Sequence, residues 1–137
     1  MVASGIFFAA PAHAAGYGCA GSEIDSYAVR TDSGTGTVYG YVHLYYDSST
    51  GKNCAVNVAT SAGGYGVYKP MTIILWECAA SDTNCNNPYE EDYDQGSYSQ
   101  YAGPVSVTAP GHCVKVAATI QYKGEQGWLV SPLGHCG

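Results

Sequence analysis

Residues 37–60, TVYGYVHLYYDSSTGKNCAVNVAT, contain two hydrophobic runs separated by a short polar segment. In the first run, residues 37–46, aliphatic side chains alternate with aromatic ones, which is the period-two pattern of a β-strand. The polar segment DSSTGKN supplies a hairpin loop, in which Gly51 can adopt a positive φ at little cost. The second run, residues 54–60, begins with Cys54. The stretch therefore predicts a β-hairpin with a buried cysteine at one strand end.

The first strand of this hairpin has two distinct faces. One face carries Val38, Gly40, Val42, Leu44 and Tyr46, and the other carries what we call the tyrosine row, which consists of Tyr39, Tyr41, His43 and Tyr45. An exposed row would form a flat strip that stacks on sugar rings or anchors a partner protein. In a sandwich or barrel the row would instead be a second packed face, and we favour burial that is at least partial.

The rest of the chain reads as further strands, at residues 23–30, 71–76, 104–109, 113–122 and 127–131. Residues 71–76 are apolar almost throughout, which indicates a strand covered on both faces or a short buried helix. Residues 104–109 and 113–122 flank a Pro-Gly turn and are expected to form a hairpin. The pattern predicts an all-β, single-domain antiparallel β-sandwich or small barrel with three disulfides.

Two stretches are predicted to be loops, residues 61–70 and the long acidic segment 78–101. The second contains YEEDYD, in which Glu90, Glu91, Asp92 and Asp94 offer oxygen ligands of the kind that calcium prefers. The alternating acidic pattern of an EF-hand is absent, and charge runs in loops are usually solvated. We therefore favour a solvated loop and predict no metal site.

The N-terminal residues 1–14, MVASGIFFAAPAHA, end in a small-x-small motif and read as a signal peptide. No Lys or Arg precedes Arg30, so we expect the true start to lie further upstream. The apolar run is shorter than the roughly 20 residues that a membrane-spanning helix needs. Residues 15–137 are then expected to be a single secreted β domain located outside the cell.

An even number of cysteines in an exported chain indicates disulfides, here among Cys19, Cys54, Cys78, Cys85, Cys113 and Cys136. If the turn in KGEQG is centred at Gly124 and Glu125, the flanking strands bring Cys113 opposite Cys136. Cys78 and Cys85 would close the base of the acidic segment. Cys19 and Cys54 remain as a pair at one end of a three-stranded meander, although the last four cysteines allow other connectivities.

The charge and the motifs exclude several classes of function. The chain has a net charge of −6 and five scattered basic residues, so neither nucleic acid nor a membrane surface is an expected partner. It has no G-x-S-x-G motif and no histidine pair at zinc-ligand spacing. His112 and His135 adjoin predicted disulfides and are interpreted as neighbours of cross-links. We predict no enzyme, no catalytic residues and no cofactor.

Three segments, residues 36–58, YAGPVSVTAPGHCVKV at 101–116 and the final HCG, resemble the spore-associated protein A family of streptomycetes. The resemblance implies an exported protein of spores and aerial mycelium, with no catalytic residues to carry over. We therefore predict a secreted, non-enzymatic structural or binding protein of the spore or cell surface, with wall polymer or another secreted protein as partner. The alternatives are a carbohydrate-binding module, an inhibitor or toxin-like effector presenting residues 78–101, and a small hydrolase.

Overall fold

A computed structural model describes residues 16–136, and the predicted signal peptide lies outside these described residues. The described chain forms eight strands, which are β1 (Ser22–Arg30), β2 (Val38–Asp47), β3 (Lys52–Ala59), β4 (Lys69–Cys78), β5 (Glu90–Tyr98), β6 (Tyr101–Thr108), β7 (Cys113–Tyr122) and β8 (Glu125–Val130). The only helical segment that the structure describes is the four-residue α1 (Thr31–Gly34), a tight turn in which Asp32 and Ser33 have left-handed backbone angles. The predicted all-β class is confirmed.

The strands form one antiparallel sheet in the order β5-β4-β7-β8-β1-β2-β3-β6. This sheet curves into a nearly closed, barrel-like structure. The predicted meander of β1, β2 and β3 is confirmed, since each pairs with the next. Between β8 and β1 the ladder is reduced to the single pair Arg30 and Trp128. The inner face of the sheet forms the core, and the outer face carries the side chains that can contact a partner.

The predicted hairpin of residues 104–109 and 113–122 is wrong. Strand β6 pairs with β3, whereas β7 lies between β4 and β8. Both strands do point their apolar side chains inward, including Val105, Val107, Val114 and Val116. Alternation therefore identified the buried faces of the two strands, but it carried no information on which neighbour each strand would choose.

The core is mainly aliphatic, and the buried polar side chain of Asn57 crosses it. Leu44, Ile73 and Ile120 are fully buried inside the barrel. Among them Asn57 donates hydrogen bonds from Nδ2 to the carbonyl oxygens of Thr72 and Thr119, at 3.0 and 3.2 Å. These bonds satisfy the amide donors of Asn57 and fix β3 against β4 and β7 across the interior, while its buried Oδ1 has no hydrogen-bond partner among the described residues.

The β7–β8 turn lies one residue earlier than predicted. Tyr122 pairs with Glu125, so the two central residues are Lys123 and Gly124, with φ values of 52° and 77°. Two positive φ angles are typical of the primed turns that match the twist of a hairpin. The cysteines still meet because the chain beyond β8 shifts its register, and Val114 bridges to Gly134.

All three predicted disulfides are confirmed. Their Cα atoms are 5.7 Å apart in Cys19–Cys54, 5.5 Å in Cys78–Cys85 and 4.0 Å in Cys113–Cys136. No free cysteine is present among the described residues. The three bridges fasten the N-terminal segment, the excursion after β4 and the C-terminal tail to the sheet.

The loop between β3 and β4 is organised by a buried ammonium group. Lys69 is 4% exposed, and its Nζ donates to the carbonyl oxygens of Gly64, Val67 and Ser99 at 2.9, 3.0 and 2.9 Å. Burial lowers the pKa of Lys69. Three carbonyl acceptors satisfy all three donors of the ammonium group, so this side chain holds the loop in one conformation.

The edge strands β5 and β6 are joined by side chains rather than by a backbone ladder. Asp94 Oδ2 accepts a hydrogen bond from the Gly103 amide at 2.8 Å, and Asp92 Oδ2 accepts one from Ser106 at 3.0 Å. Glu90 Oε1 does the same for Thr108 at 3.0 Å. We call this arrangement the carboxylate seam. Residues 90–98 are therefore an edge strand, and the prediction of a solvated loop there is wrong.

The first prediction concerns the carboxylate seam. Replacing Asp92 with Ala leaves the Ser106 amide without its acceptor and should lower the free energy of unfolding by about 1–3 kcal/mol. Asp92→Asn keeps an acceptor oxygen and should cost less. Urea unfolding of both variants measures the difference, and equal losses would show that the hydrogen bond does not stabilise the seam.

A second prediction ranks the disulfides. Cys78–Cys85 spans 7 residues and Cys113–Cys136 spans 23. The longer loop restrains the unfolded chain more, so replacing Cys113 and Cys136 with Ser should cost about 1 kcal/mol more than replacing Cys78 and Cys85. Thermal unfolding of the two double variants tests this order, and the reverse ranking would contradict the entropic account.

Candidate binding surfaces

The tyrosine row is interrupted by a β-bulge at its first member. Val29 of β1 pairs with Gly40 and Arg30 pairs with Val38, which leaves Tyr39 as the extra residue on β2. Such a bulge redirects the side chain. Tyr39 accordingly belongs to the core cluster, and its hydroxyl donates to the Tyr122 carbonyl oxygen at 3.2 Å.

The last member of the row is covered by the N-terminal segment. Tyr45 is 3% exposed and packs in a second cluster with Cys19, Cys54 and Val56, separate from the main core. The covering segment approaches so closely that a Cβ atom on Gly16 would lie 2.9 Å from the Tyr45 hydroxyl oxygen. The Cys19–Cys54 disulfide holds this segment in place, and Tyr45 is therefore not available to a ligand.

The two remaining members join side chains that the sequence did not single out. Tyr17 stacks on His43 with ring centroids 5.9 Å apart, and it makes an edge contact with Tyr101 at 5.3 Å. Tyr41, on β2, is 42% exposed. We call the group Tyr17, Tyr41, His43 and Tyr101 the β2 aromatic surface. Half of the predicted row thus belongs to an accessible aromatic surface.

Each histidine that the structure describes is bonded to a carboxylate. His43 Nδ1 lies 3.0 Å from Glu23 Oε2, and His135 Nε2 lies 2.9 Å from Asp25 Oδ2. The bond from His135 is the main reason that the pKa of Asp25 is lowered. His112 Nδ1 contacts Glu77 Oε2. The His43–Glu23 pair joins β2 to β1, and the His135–Asp25 pair joins the C-terminal tail to β1. The His112–Glu77 pair joins the β6–β7 turn to β4.

Nothing in the described part of the chain assembles a metal site. No group of three or more His, Cys, Asp or Glu side chains within residues 16–136 is placed to hold a metal ion. The acidic side chains considered for calcium are distributed over both faces of β5, since Asp92 and Asp94 face β6 while Glu91 accepts a hydrogen bond from Trp76 Nε1 at 3.0 Å.

A second surface, which sequence reasoning missed, lies on the outer face of β5, β4, β7 and β8. It brings together both tryptophans of the chain and three large apolar side chains. We call it the tryptophan face, and its members are Trp76, Trp128, Tyr93, Ile74 and Val130. Tyr93, Val130 and Trp128 are 62%, 50% and 41% exposed.

The signal for this face was present in the sequence. Along β4 the inner residues Met71, Ile73 and Leu75 are fully buried, whereas the alternate residues Ile74 and Trp76 are only partly covered. The apolar run 71–76 predicts a strand covered on both faces, because an uninterrupted apolar strand usually is, and this prediction is wrong for one face. Here one of the two faces remains accessible to solvent.

These features define a class, an all-β, disulfide-cross-linked protein that displays aromatic side chains on the outside of a nearly closed sheet. The chain is 38% identical to spore-associated protein A of Streptomyces coelicolor over 86 residues, which are 63% of this chain and 46% of that protein. The similarity supports the predicted relation to that family. The chain spans about half the length of this curated relative.

Other comparisons give no further relatives. No protein-family model matches the chain, and no solved structure matches it. No helix within the described residues is long and apolar enough to cross a bilayer.

The third prediction concerns ionisation of the tyrosines. Burial raises the pKa of Tyr27, Tyr39 and Tyr45, and the hydrogen bond to Asp94 raises the pKa of Tyr98. A raised pKa in the folded state contributes stability that is present below the unfolded value of about 10 and is lost as the pH rises through the folded value. We therefore expect part of the tyrosinate absorbance to appear only above about pH 10, in the same pH range in which the protein unfolds.

Removal of the Cys19–Cys54 bridge by Cys→Ser substitution should uncover Tyr45. One tyrosine should then ionise at lower pH than in the parent protein, as measured by ultraviolet titration. An unchanged titration curve would show that the N-terminal segment covers Tyr45 without the disulfide.

Proposed function

We propose that the protein is exported and acts, without catalysis, as a structural or binding component of the spore or cell surface. The similarity to a protein named for its association with spores supports the location. Three disulfides support an extracellular environment, since such bonds persist where thiols are oxidised.

The observation that carries this proposal is the display of aromatic side chains on a rigid sheet. Tyr17, Tyr41 and Tyr101 lie together on the β2 aromatic surface, and strand β2 is paired on both sides. Tyrosine provides a large contact area and loses little conformational entropy when it binds. The partners that we propose are spore-wall or cell-wall polymer, or another secreted protein.

Electrostatics favours partners that carry little negative charge. The net charge of the chain is −6, and its five basic residues are scattered, with Lys69 buried. Long-range attraction to a polyanion is therefore weak or reversed. Binding through aromatic contacts should depend little on salt concentration.

The alternative of an effector that presents residues 78–101 has less support. Strand β5 occupies residues 90–98, and the carboxylate seam fixes it to β6. Residues 79–89 and the short turn 99–100 remain outside the strands, and Cys78–Cys85 closes most of the longer one. A hydrolase has no support from the histidine pairs, because no serine, threonine or cysteine side chain in the described residues is hydrogen-bonded to a histidine.

The fourth prediction tests the proposal with spores and isolated cell walls. The parent protein should sediment with them at both low and high salt. Tyr17→Ser/Tyr41→Ser should reduce retention about tenfold or more, because two aromatic contacts are lost. Tyr68→Ser is a matched control, since Tyr68 is 74% exposed and lies outside this surface.

Both variants should keep the melting temperature of the parent, because they alter exposed side chains. The triple change of Tyr39, Tyr41 and Tyr45 is unsuitable for this purpose, since Tyr39 and Tyr45 are buried. The proposed aromatic surface association is wrong if the parent protein sediments with neither spores nor isolated cell walls, or if its retention disappears at high salt.

A further inference from the structure

The tryptophan face is continuous across four hydrogen-bonded strands. Its central line runs through Tyr93, Ile74, Ala117 and Val130, each of which is the direct register partner of the next. Three interstrand steps of about 4.8 Å give this line a length of roughly 14 Å. Because the side chain of Ala117 is small, it does not protrude between Ile74 and Val130, and the exposed groups form one extended surface.

Two neighbouring lines complete the face. On one side Thr72, Thr119 and Trp128 are register partners, and the two threonine hydroxyls are hydrogen-bonded at 2.6 Å. On the other side Trp76 lies between Glu91 and Lys115. The bond from Trp76 Nε1 to Glu91 Oε1 fixes the indole ring on the sheet. The Trp76 ring is therefore held on the sheet before any ligand binds.

The charge of the face restricts its occupant. The charged residues within the three lines are Lys115 and Glu91, while at their borders Arg30 pairs with Trp128 and Asp82 interacts with Lys115. These four charges sum to zero, whereas the whole chain carries −6. A polyanion would gain nothing from the face and would be repelled by the molecule. A second copy of the chain would meet the same repulsion. An uncharged partner matches both the neutral face and the acidic molecule.

The chemistry of the face is that of sugar recognition. Aromatic rings offer apolar area for the C–H faces of pyranose rings, and the adjacent hydroxyl and amide groups of Thr72, Thr119 and Gln95 can bond sugar hydroxyls. We propose that the tryptophan face binds a chain of a neutral polysaccharide, with sugar rings against Tyr93 and Trp128. This inference rests on the proposed surface association and names the polymer class.

The test uses the full chain with insoluble chitin and cellulose as two neutral polysaccharides, and with heparin as a polyanion. The parent should bind at least one of the neutral polymers at both low and high salt and should not bind heparin. Tyr93→Ala/Trp128→Ala should weaken binding about tenfold or more, because two aromatic contacts are lost. Tyr68→Ala is the matched control and should bind as the parent does.

Near-ultraviolet circular dichroism and the melting temperature establish that each variant is folded. Should Tyr93→Ala/Trp128→Ala unfold, the more conservative Trp128→Gln replaces it. The inference is overturned if the parent binds neither neutral polymer, if folded variants bind as well as the parent, or if sedimentation shows that the face joins two copies of the chain. Retention on spores without binding to chitin or cellulose would overturn this inference alone, whereas loss of spore retention would overturn the proposed function as well.

Discussion

Hydrogen bonds from the backbone amides of β6 to the carboxylates of Glu90, Asp92 and Asp94 join the two edges of the sheet. Unpaired strand edges invite pairing with other chains, and this closure occupies amide groups that would otherwise be open. It also fixes the orientation of β5. Because Asp92 and Asp94 face β6, the residue between them, Tyr93, must point to the outer side of the sheet.

The two halves of the outer surface differ in how far they are covered within the described residues. Residues 16–20 lie over β2 and β3, where Cys19–Cys54 holds them and buries Tyr45. On the tryptophan face only the loop closed by Cys78–Cys85 comes near, with Asn84 and Cys85 beside Trp76, and Tyr93 and Trp128 remain exposed. A disulfide therefore sets how much of the aromatic outer surface is accessible, although it lies outside the main core.

A rigid scaffold with exposed rings suits a protein that works by contact. The buried Lys69, the cross-barrel bonds of Asn57 and the histidine–carboxylate pairs all connect separate segments, and the bonds of Lys69 and Asn57 satisfy buried donor groups. In sequence the chain is similar to spore-associated protein A, a protein named for its association with spores. The sheet presents ordered aromatic side chains on its outer face.

Alternation, turn residues and cysteine positions are local signals, and from them the sequence predicted the β class, the positions of seven strands and most of the inward faces. It also favoured the three observed cysteine pairs, although four of the cysteines allowed other connectivities. It did not reveal β5, since the acidic side chains of that strand read as solvated until β6 amides are brought beside them. The bulge at Tyr39, the cover over Tyr45 and the pairing of β6 with β3 were decided only by tertiary structure. Each depends on segments distant in the chain, and a strand pattern specifies which face is apolar but not which neighbour will cover it.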